Sequence, residues 1–461
     1  MNGGEALDRA ALERAATAMF AEEAASYAAV RPVGRDCGAA TGPGFLDGVP
    51  LHWMRDWPMP FPLVLAAAEG ARLEDIDGHV LTDFCLGDTG AMFGHAPAPV
   101  VAALARSATA GFTTMLPSPA AARVGRLLSQ RFGLPHWQVA TTASDANRFA
   151  IRVARAVTGR PKILVFEGCY HGAVDDTLVD RAPDGATLTR ASLLGQVVDL
   201  ATTTTVVPFN DEAALAMALA GGDIACVLAE PVMTNCSMIA PQPGFHAALR
   251  RLTRDAGTLL LIDETHTISS GLGGYTALHG LEPDLFVVGK AIAGGIPASV
   301  WGLSAAVAER LAAVRAVVPG GHSGIGTTLS GSTLQLACLE ACLTEVMTAE
   351  AYAAMNAGAD VIEAGLAAAL RRHALPWHVA RVGARLELVL RAAPLVDAAD
   401  ARAAASHAIE AALHLALLNR GFLLTPFHNM MLVSPAASIA DCERLVAAFD
   451  AVLGTLVAAA A

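Results

Sequence analysis

Residues 258–290, TLLLIDETHTISSGLGGYTALHGLEPDLFVVGK, limit the possible folds more than any other stretch of the chain. An apolar run at 259–262 ends in two carboxylates, Asp263 and Glu264, and a second run at 285–288 ends in Gly289-Lys290. Short apolar runs bounded by turn residues read as strands buried on both faces, which requires a sheet covered on either side. In such sheets chemistry gathers at the carboxyl ends of the strands. The stretch therefore sets an acid and an amine at two strand ends. Lysine is otherwise almost absent, since only Lys162 and Lys290 occur in the chain. An Ala-rich, Arg-biased composition can lose surface Lys without functional meaning. A Lys kept after a buried strand is harder to explain that way, because a desolvated amine can form a Schiff base and a guanidinium cannot.

The middle of the chain repeats this pattern. Helices are expected at 97–110, 119–132, 145–158, 211–220 and 244–256, and strands at 137–141, 162–166, 224–229, 258–262, 285–288 and 299–303. That alternation predicts an α/β fold around a largely parallel, doubly covered sheet. Ahead of it come a helix over 5–29, a Gly/Pro-rich loop over 31–62 and a hairpin in ARLEDIDGHVLTDF turning at Asp77-Gly78. Behind it come a long helix near 330–357, a strand over 380–393 and an amphipathic helix over 441–457. Three regions follow. Residues 1–70 form a helix and loop segment packing with the small domain, 71–330 the large domain, and 331–461 a smaller α+β C-terminal domain.

Composition excludes several classes. At 461 residues the chain is long for one core, and with 54% apolar and 16% charged residues it is not a disordered chain. Much of the apolar content is Ala, and no window supplies the roughly 18 uninterrupted apolar residues of a spanning helix. Glu5, Asp8, Glu13, Glu22 and Glu23 stand where a signal peptide would begin basic, so a cytoplasmic protein is expected. A net charge of −12 argues against nucleic acid or anionic membrane as partner. The eight Cys form no CxxC pair and the 14 His no HExxH cluster, so free thiols and no metal site are expected.

Other polar clusters fall at expected strand ends. TTASDAN at 141–147 opens a helix, where backbone N–H groups and the helix dipole suit an anion, although a plain N-cap uses the same residue types. GGHSGIGTTLSGST at 320–333 offers Thr327 and Thr328 as hydroxyl donors, or is a flexible glycine loop. Tyr170-His171 follows the 162–166 strand and could flank a planar ligand or fill a core. In DETHT the strand period of two puts Asp263 and Thr265 on one face, an acid for a ring nitrogen above a residue that packs under the ring. Glu230 ends another strand, where a buried carboxylate needs a partner of structural or functional kind. Neither a G-x-S-x-G elbow nor a G-x-G-x-x-G fingerprint is present, which removes a serine hydrolase and a Rossmann dehydrogenase.

In order and spacing, DIDGHVLTDF, GHAPAPV, TTASDAN, RVARAVTGRPKILVFEGCYHG, LAEPV, LLIDETHT, PDLFVVGKAIAGGIP and TTLSG resemble one family. It is the class III, fold-type I aminotransferases that use pyridoxal phosphate, especially the branch containing glutamate-1-semialdehyde aminomutase. The likeness runs from about Gly70 to the C-terminus. It implies Lys290 as the Schiff-base lysine and Asp263 as the acid on the pyridine nitrogen. Ala143 and Ser144 would hold the phosphate, Tyr170 would stack on the ring with His171 beside it, and Thr265 and His266 would lie beneath or beside it. Glu230 would sit near the cofactor. Thr328 would reach the phosphate of the other subunit, which implies a homodimer.

Two departures bear on activity. DETHT replaces the family's more usual DEV(M/Q)T, and TPFHNMMLVS places His428-Asn429 where the aminomutase pattern has a glutamate. The expected activity is therefore ping-pong transamination between an amine or amino acid, aromatic and β-amino acids included, and a carbonyl or 2-oxo acid. An isomerase on the same scaffold, aminomutase or racemase, is the alternative, and a cofactor-binding protein without catalysis is a third reading. Arg385 is the candidate carboxylate clamp, or else a structural arginine. Trp53, Trp57, Asp88, Met92 and His428 are candidate pocket residues, although the two Trp read first as core anchors.

Overall fold

The computed structural model describes residues 8–38 and 44–461, so the first residues of the helix expected from 5 lie outside it. One compact unit comprises Pro97–Ala349 and Leu395–Ala403. Its seven-stranded sheet runs, in spatial order, His136–Ala140, Ser299–Leu303, Leu285–Val288, Leu259–Asp263, Ile224–Ala229, Lys162–Phe166 and Thr204–Val207. Every pairing is parallel except the two made by Ser299–Leu303, which runs against both neighbours. Its strands Ile224–Ala229, Leu259–Asp263, Leu285–Val288 and Ser299–Leu303 are buried at every position, as a sheet covered on both faces requires.

Six of these strands follow the sequence expectation. The seventh, Thr204–Val207, was missed because a run of threonines gives neither an apolar run nor an alternation. It forms at the sheet edge, where the Thr204 hydroxyl donates to the Asp176 carbonyl at 2.7 Å.

Register decides which side chains share an edge. Asp263 stands opposite Val287, and Ile262 stands opposite Ala229. Glu230, Asp263 and Gly289-Lys290 therefore leave the sheet together. Ser299 pairs with Ala140, and its hydroxyl donates to the Thr142 carbonyl at 2.7 Å. The start of the helix Ala143–Thr158 is thereby fastened to the same edge.

The second unit gathers the described residues up to Ala96 together with Glu350–Pro394 and Ala404–Ala461. The units divide at 96/97 and 349/350, where the sequence suggested 70/71 and 330/331. The reason is a pairing between segments distant in sequence: the hairpin Arg72–Asp75/Val80–Asp83 joins Phe422–Leu423 in parallel. At the hairpin turn Gly78 takes φ 86°, and Asp75 accepts N–H bonds from Asp77 and His79. The strand expected over 380–393 is instead a hairpin, His378–Val382 with Arg385–Val389, turning at Gly383 with φ 58°. The helix expected near 330–357 is interrupted: Thr333–Ala341 passes through a π turn, Cys342–Val346, before Ala349–Arg372 begins. Among the described residues no helix is long and apolar enough to cross a membrane.

The core of this unit packs Tyr27 of the helix Arg9–Val30 with Leu73, Leu81, Leu415, Leu418 and Leu423. His414 is also buried there, its ring edge-on to Trp57 at 5.7 Å between centroids, and neither ring nitrogen has a hydrogen-bond partner among the described residues. Burial pushes its pKa down to about 4. The folded state keeps the ring neutral, whereas the unfolded chain takes up a proton near pH 6.5. Stability is therefore full above about pH 6.5 and falls by up to about 3 kcal/mol as pH drops toward 4. His414→Leu is expected to shrink the loss of urea midpoint between about pH 7.5 and about pH 5. Equal acid losses in variant and wild type would contradict this.

Candidate active site

Asp263 is the last residue of its strand and is buried. Its Oδ2 accepts a hydrogen bond from Asn147 Nδ2 at 2.8 Å and faces His171 Nδ1 at 3.0 Å, while Oδ1 accepts from the Thr265 N–H at 3.1 Å. Burial alone would raise the carboxyl pKa, but His171, Thr265 and Asn147 outweigh it and bring Asp263 down to about 2. Burial opposes charge on His171 as well, and Asp263 and Cys169 outweigh it to hold the imidazole up at about 10. Between those limits Asp263 is a carboxylate aimed by fixed donors. Glu264, one residue on, serves another purpose. It accepts from the Thr267 hydroxyl and the Tyr275 and Thr276 N–H groups, holding the start of the helix Gly274–Leu278.

Lys290 begins a single helical turn, Lys290–Ala293, with φ 49°. A left-handed conformation costs a side-chain-bearing residue about 1–2 kcal/mol, so its surroundings must hold it. Lys290 Nζ meets His266 Nε2 at 2.5 Å, and His266 Nδ1 lies 2.6 Å from Thr234 Oγ1. Thr234 donates to Glu230 Oε2 at 2.5 Å, and Asn235 Nδ2 donates to Glu230 Oε1 at 3.1 Å. The other lysine is placed differently. Lys162 opens its strand at the opposite edge and pairs with Asp223 at 3.0 Å.

An anion cradle lies alongside. Thr142 caps the helix Ala143–Thr158 by accepting from the Asp145 N–H, and Ser144 Oγ accepts from the Ala173 N–H at 2.9 Å. The first-turn N–H groups of a helix lack intrahelical acceptors and its dipole favours negative charge. Two glycines let neighbouring loops close on this helix start. A Cβ at Gly289 would lie 2.9 Å from Ala143 Cβ, and one at Gly172 would collide with Ser144 Oγ.

These groups fit pyridoxal phosphate: an anion seat, an amine for its aldehyde and an ionised acid for its ring nitrogen. The Asn147 amide oxygen is also buried without a hydrogen-bond partner among the described residues, as a group reserved for a ligand would be.

Of the residues singled out from sequence, Asp263, His171, Thr265, His266, Glu230, Lys290, Ala143 and Ser144 thus gather at one sheet edge. Tyr170 is half-buried in the same loop as His171, its carbonyl accepting weakly from Asn235 at 3.5 Å. Thr328 is exposed and lines a cleft of about 470 Å³ with Thr113, Met115, Leu116, Trp137 and Gln138, a set that includes neither Lys290 nor Asp263.

Trp53, Trp57, Asp88, Met92, Arg385 and His428 belong to the other unit. Within it Trp57 packs on the Tyr27 core and Met92 is fully buried. Arg385, 1% exposed, donates to the Thr89 hydroxyl and lies 3.8 Å from Asp88. His428 and Asn429 adopt φ 57° and 50° in a tight turn. Three site residues escaped the sequence reading: Asn147, Thr234 and Asn235. Asn147 left a signal, as a polar residue on the buried face Ala146–Phe149–Ala150–Val153 of its helix. Thr234 and Asn235 lie in irregular chain and left none.

A model of the class-III aminotransferases matches residues 54–453. A glutamate-1-semialdehyde 2,1-aminomutase 2 from Bacillus thuringiensis (strain Al Hakam) is 33% identical over 405 residues, 86% of this chain and 91% of that one. The crystal structure of a glutamate-1-semialdehyde-aminomutase from Pseudomonas aeruginosa PAO1 is 48% identical, with a TM-score of 0.94, covering 98% of this chain and 100% of that one. An omega-transaminase from Sphaerobacter thermophilus is 26% identical with a TM-score of 0.81, covering 93% of this chain and 97% of its own.

Removing the charge at the sheet edge tests the role of Asp263. Asp263→Asn is expected to slow the spectral change of bound pyridoxal phosphate on adding an amine by about a hundredfold to a thousandfold, with far-UV circular dichroism unchanged. A rate within about threefold of wild type would show that the ring nitrogen does not rely on this acid.

Proposed function

The chain belongs to the class-III aminotransferase family, whose members depend on pyridoxal phosphate, and on that premise we propose that it acts as an aminomutase. Its substrate would be one small molecule carrying an amine and a neighbouring carbonyl, and the amino group would move from one carbon to the next. One observation carries this reading: the 48% identity, extending over nearly the whole of both chains, to a protein described as a glutamate-1-semialdehyde-aminomutase. That likeness favours the isomerase over the intermolecular transamination expected from His428-Asn429. Transamination remains the second reading, on account of that same segment and the 26% identity to an omega-transaminase.

Bound at this edge, pyridoxal phosphate supplies a carbonyl that accepts the amino group and a ring that draws electrons from the substrate carbon. Lys290 would hold that carbonyl, and its amine, when free, would carry protons to and from the substrate carbon. Asp263, fixed by His171 and Asn147, keeps a proton on the ring nitrogen. The start of Ala143–Thr158, with Ser144, would hold the phosphate, and Thr265 and Tyr170 would contact the ring. Because donor and acceptor are parts of one substrate, no second compound is needed to complete the cycle.

The same reading makes the enzyme a cytoplasmic homodimer. Phe112, Met115, Leu116 and Leu329 are exposed at 48%, 79%, 70% and 56%, next to the cleft that Thr328 lines. A second copy covering that surface would bring Thr328 toward the partner's phosphate.

Supplying one amino aldehyde, glutamate-1-semialdehyde first, separates the two activities. The aminomutase reading expects sustained turnover with no 2-oxo acid added and no carbonyl co-product accumulating. A single turnover per site, resuming only when a 2-oxo acid is added, would establish transamination instead.

A further inference from the structure

We propose that Lys290, His266, Thr234 and Glu230 form a proton wire, in which His266 and Thr234 pass a proton between the Lys290 amine and the buried Glu230 carboxyl. The proposal rests on the reading of Lys290 as the reacting amine. It follows from the order of hydrogen bonds. Glu230 as a carboxylate can only accept, so the Thr234 hydroxyl donates to it and must accept from His266 Nδ1–H. That leaves the lone pair of His266 on Nε2, pointing at Lys290 Nζ. Each link has one donor and one acceptor, and the whole chain can reverse.

In the reversed arrangement Glu230 is a carboxylic acid that donates to Thr234, Thr234 donates to His266 Nδ1, and Nε2–H faces a neutral amine. The step balances. A proton that Lys290 has taken from a substrate carbon, whose C–H electron pair stays behind, leaves Nζ for Nε2. The Nδ1 proton moves to Thr234 Oγ1 and the Thr234 proton moves to Glu230 Oε2. The ring exchanges one tautomer for the other, the hydroxyl is regenerated, and nothing is oxidised or reduced.

Three further observations support a wire over a static network. Glu230, Thr234 and His266 are exposed by only 4%, 2% and 6%, so bulk water does not replace them as carrier. Burial raises the Glu230 pKa against the pull of His171, Thr234 and Asn235, with Asp263 adding to the rise, which makes the carboxyl a workable resting place for a proton. Finally, DETHT places an imidazole at position 266, a side chain that can accept a proton on one ring nitrogen while releasing one from the other. An enzyme that removes a proton at one carbon and delivers one at the next has a use for such a store, since it resets the amine within the closed site.

His266 and Thr234 act here through Lys290, as positioning residues for its proton, and the test reads the proton itself. Thr234→Val removes the hydroxyl at nearly constant shape, and Thr234→Ser keeps it. In cofactor-free full-length protein labelled with ¹⁵N-histidine, NMR is expected to show His266 protonated on Nδ1 in wild type and Thr234→Ser, with the tautomer population altered in Thr234→Val. In cofactor-loaded enzyme, rates measured across H₂O/D₂O mixtures should curve for wild type and Thr234→Ser. Thr234→Val should give a straight line and a rate lower by about tenfold or more. An unprotonated Nδ1 in wild type, or a Thr234→Val protein that matches wild type in both measurements, would overturn the wire. Those results leave the anchoring of cofactor at Lys290 untouched, so failure of the wire and failure of the proposed function are told apart.

Discussion

The register of parallel strands does most to make this site. With Ile262 opposite Ala229 and Asp263 opposite Val287, three neighbouring strands end within a residue or two of one another. Their next side chains, Glu230, Asp263 and Lys290, must then share an edge. A slip of one residue in any pairing would turn an entire strand's side chains to the other face and scatter the set. Close packing holds the register of these wholly buried strands, because a slip would set each side chain against neighbours of the wrong shape. The core that stabilises the large unit is thus also what aligns its chemistry.

Ionising a buried carboxylate is costly unless its lone pairs are met by donors. At Asp263 those donors come from three separate elements: Asn147 from a helix, His171 from a loop and the Thr265 N–H from the strand's own continuation. Glu264 meets the same cost with a different set of partners and ends as a structural brace. Two adjacent acids in sequence thus take unrelated roles, and strand alternation is the reason.

Much of this was legible in the sequence, for definable reasons. Buried strands announce themselves as apolar runs, so six strands and the polar residues at their ends could be placed directly. Lys290 stood out because Arg had displaced lysine almost everywhere else. What stayed hidden depends on contacts between distant segments or on special backbone conformations. The pairing of Val80–Asp83 with Phe422–Leu423 moved a unit boundary, and Gly383 turned one expected strand into two. Thr234 could not be found, because its value comes entirely from standing between His266 and Glu230. The segment holding His428 and Asn429 points toward transamination, whereas the 48% identity over nearly the full length is to a protein described as a glutamate-1-semialdehyde-aminomutase, so local and global signals diverge at this one place.

The central claim is that the strand-end lysine is the covalent anchor of the cofactor, and the chain's own composition supplies the control. Purified protein incubated with pyridoxal phosphate, reduced with borohydride and mapped by peptide mass should carry the label on Lys290 and none on Lys162, which is paired with Asp223 at the far edge of the sheet. Label on Lys162, or no stable label at all, would contradict the account.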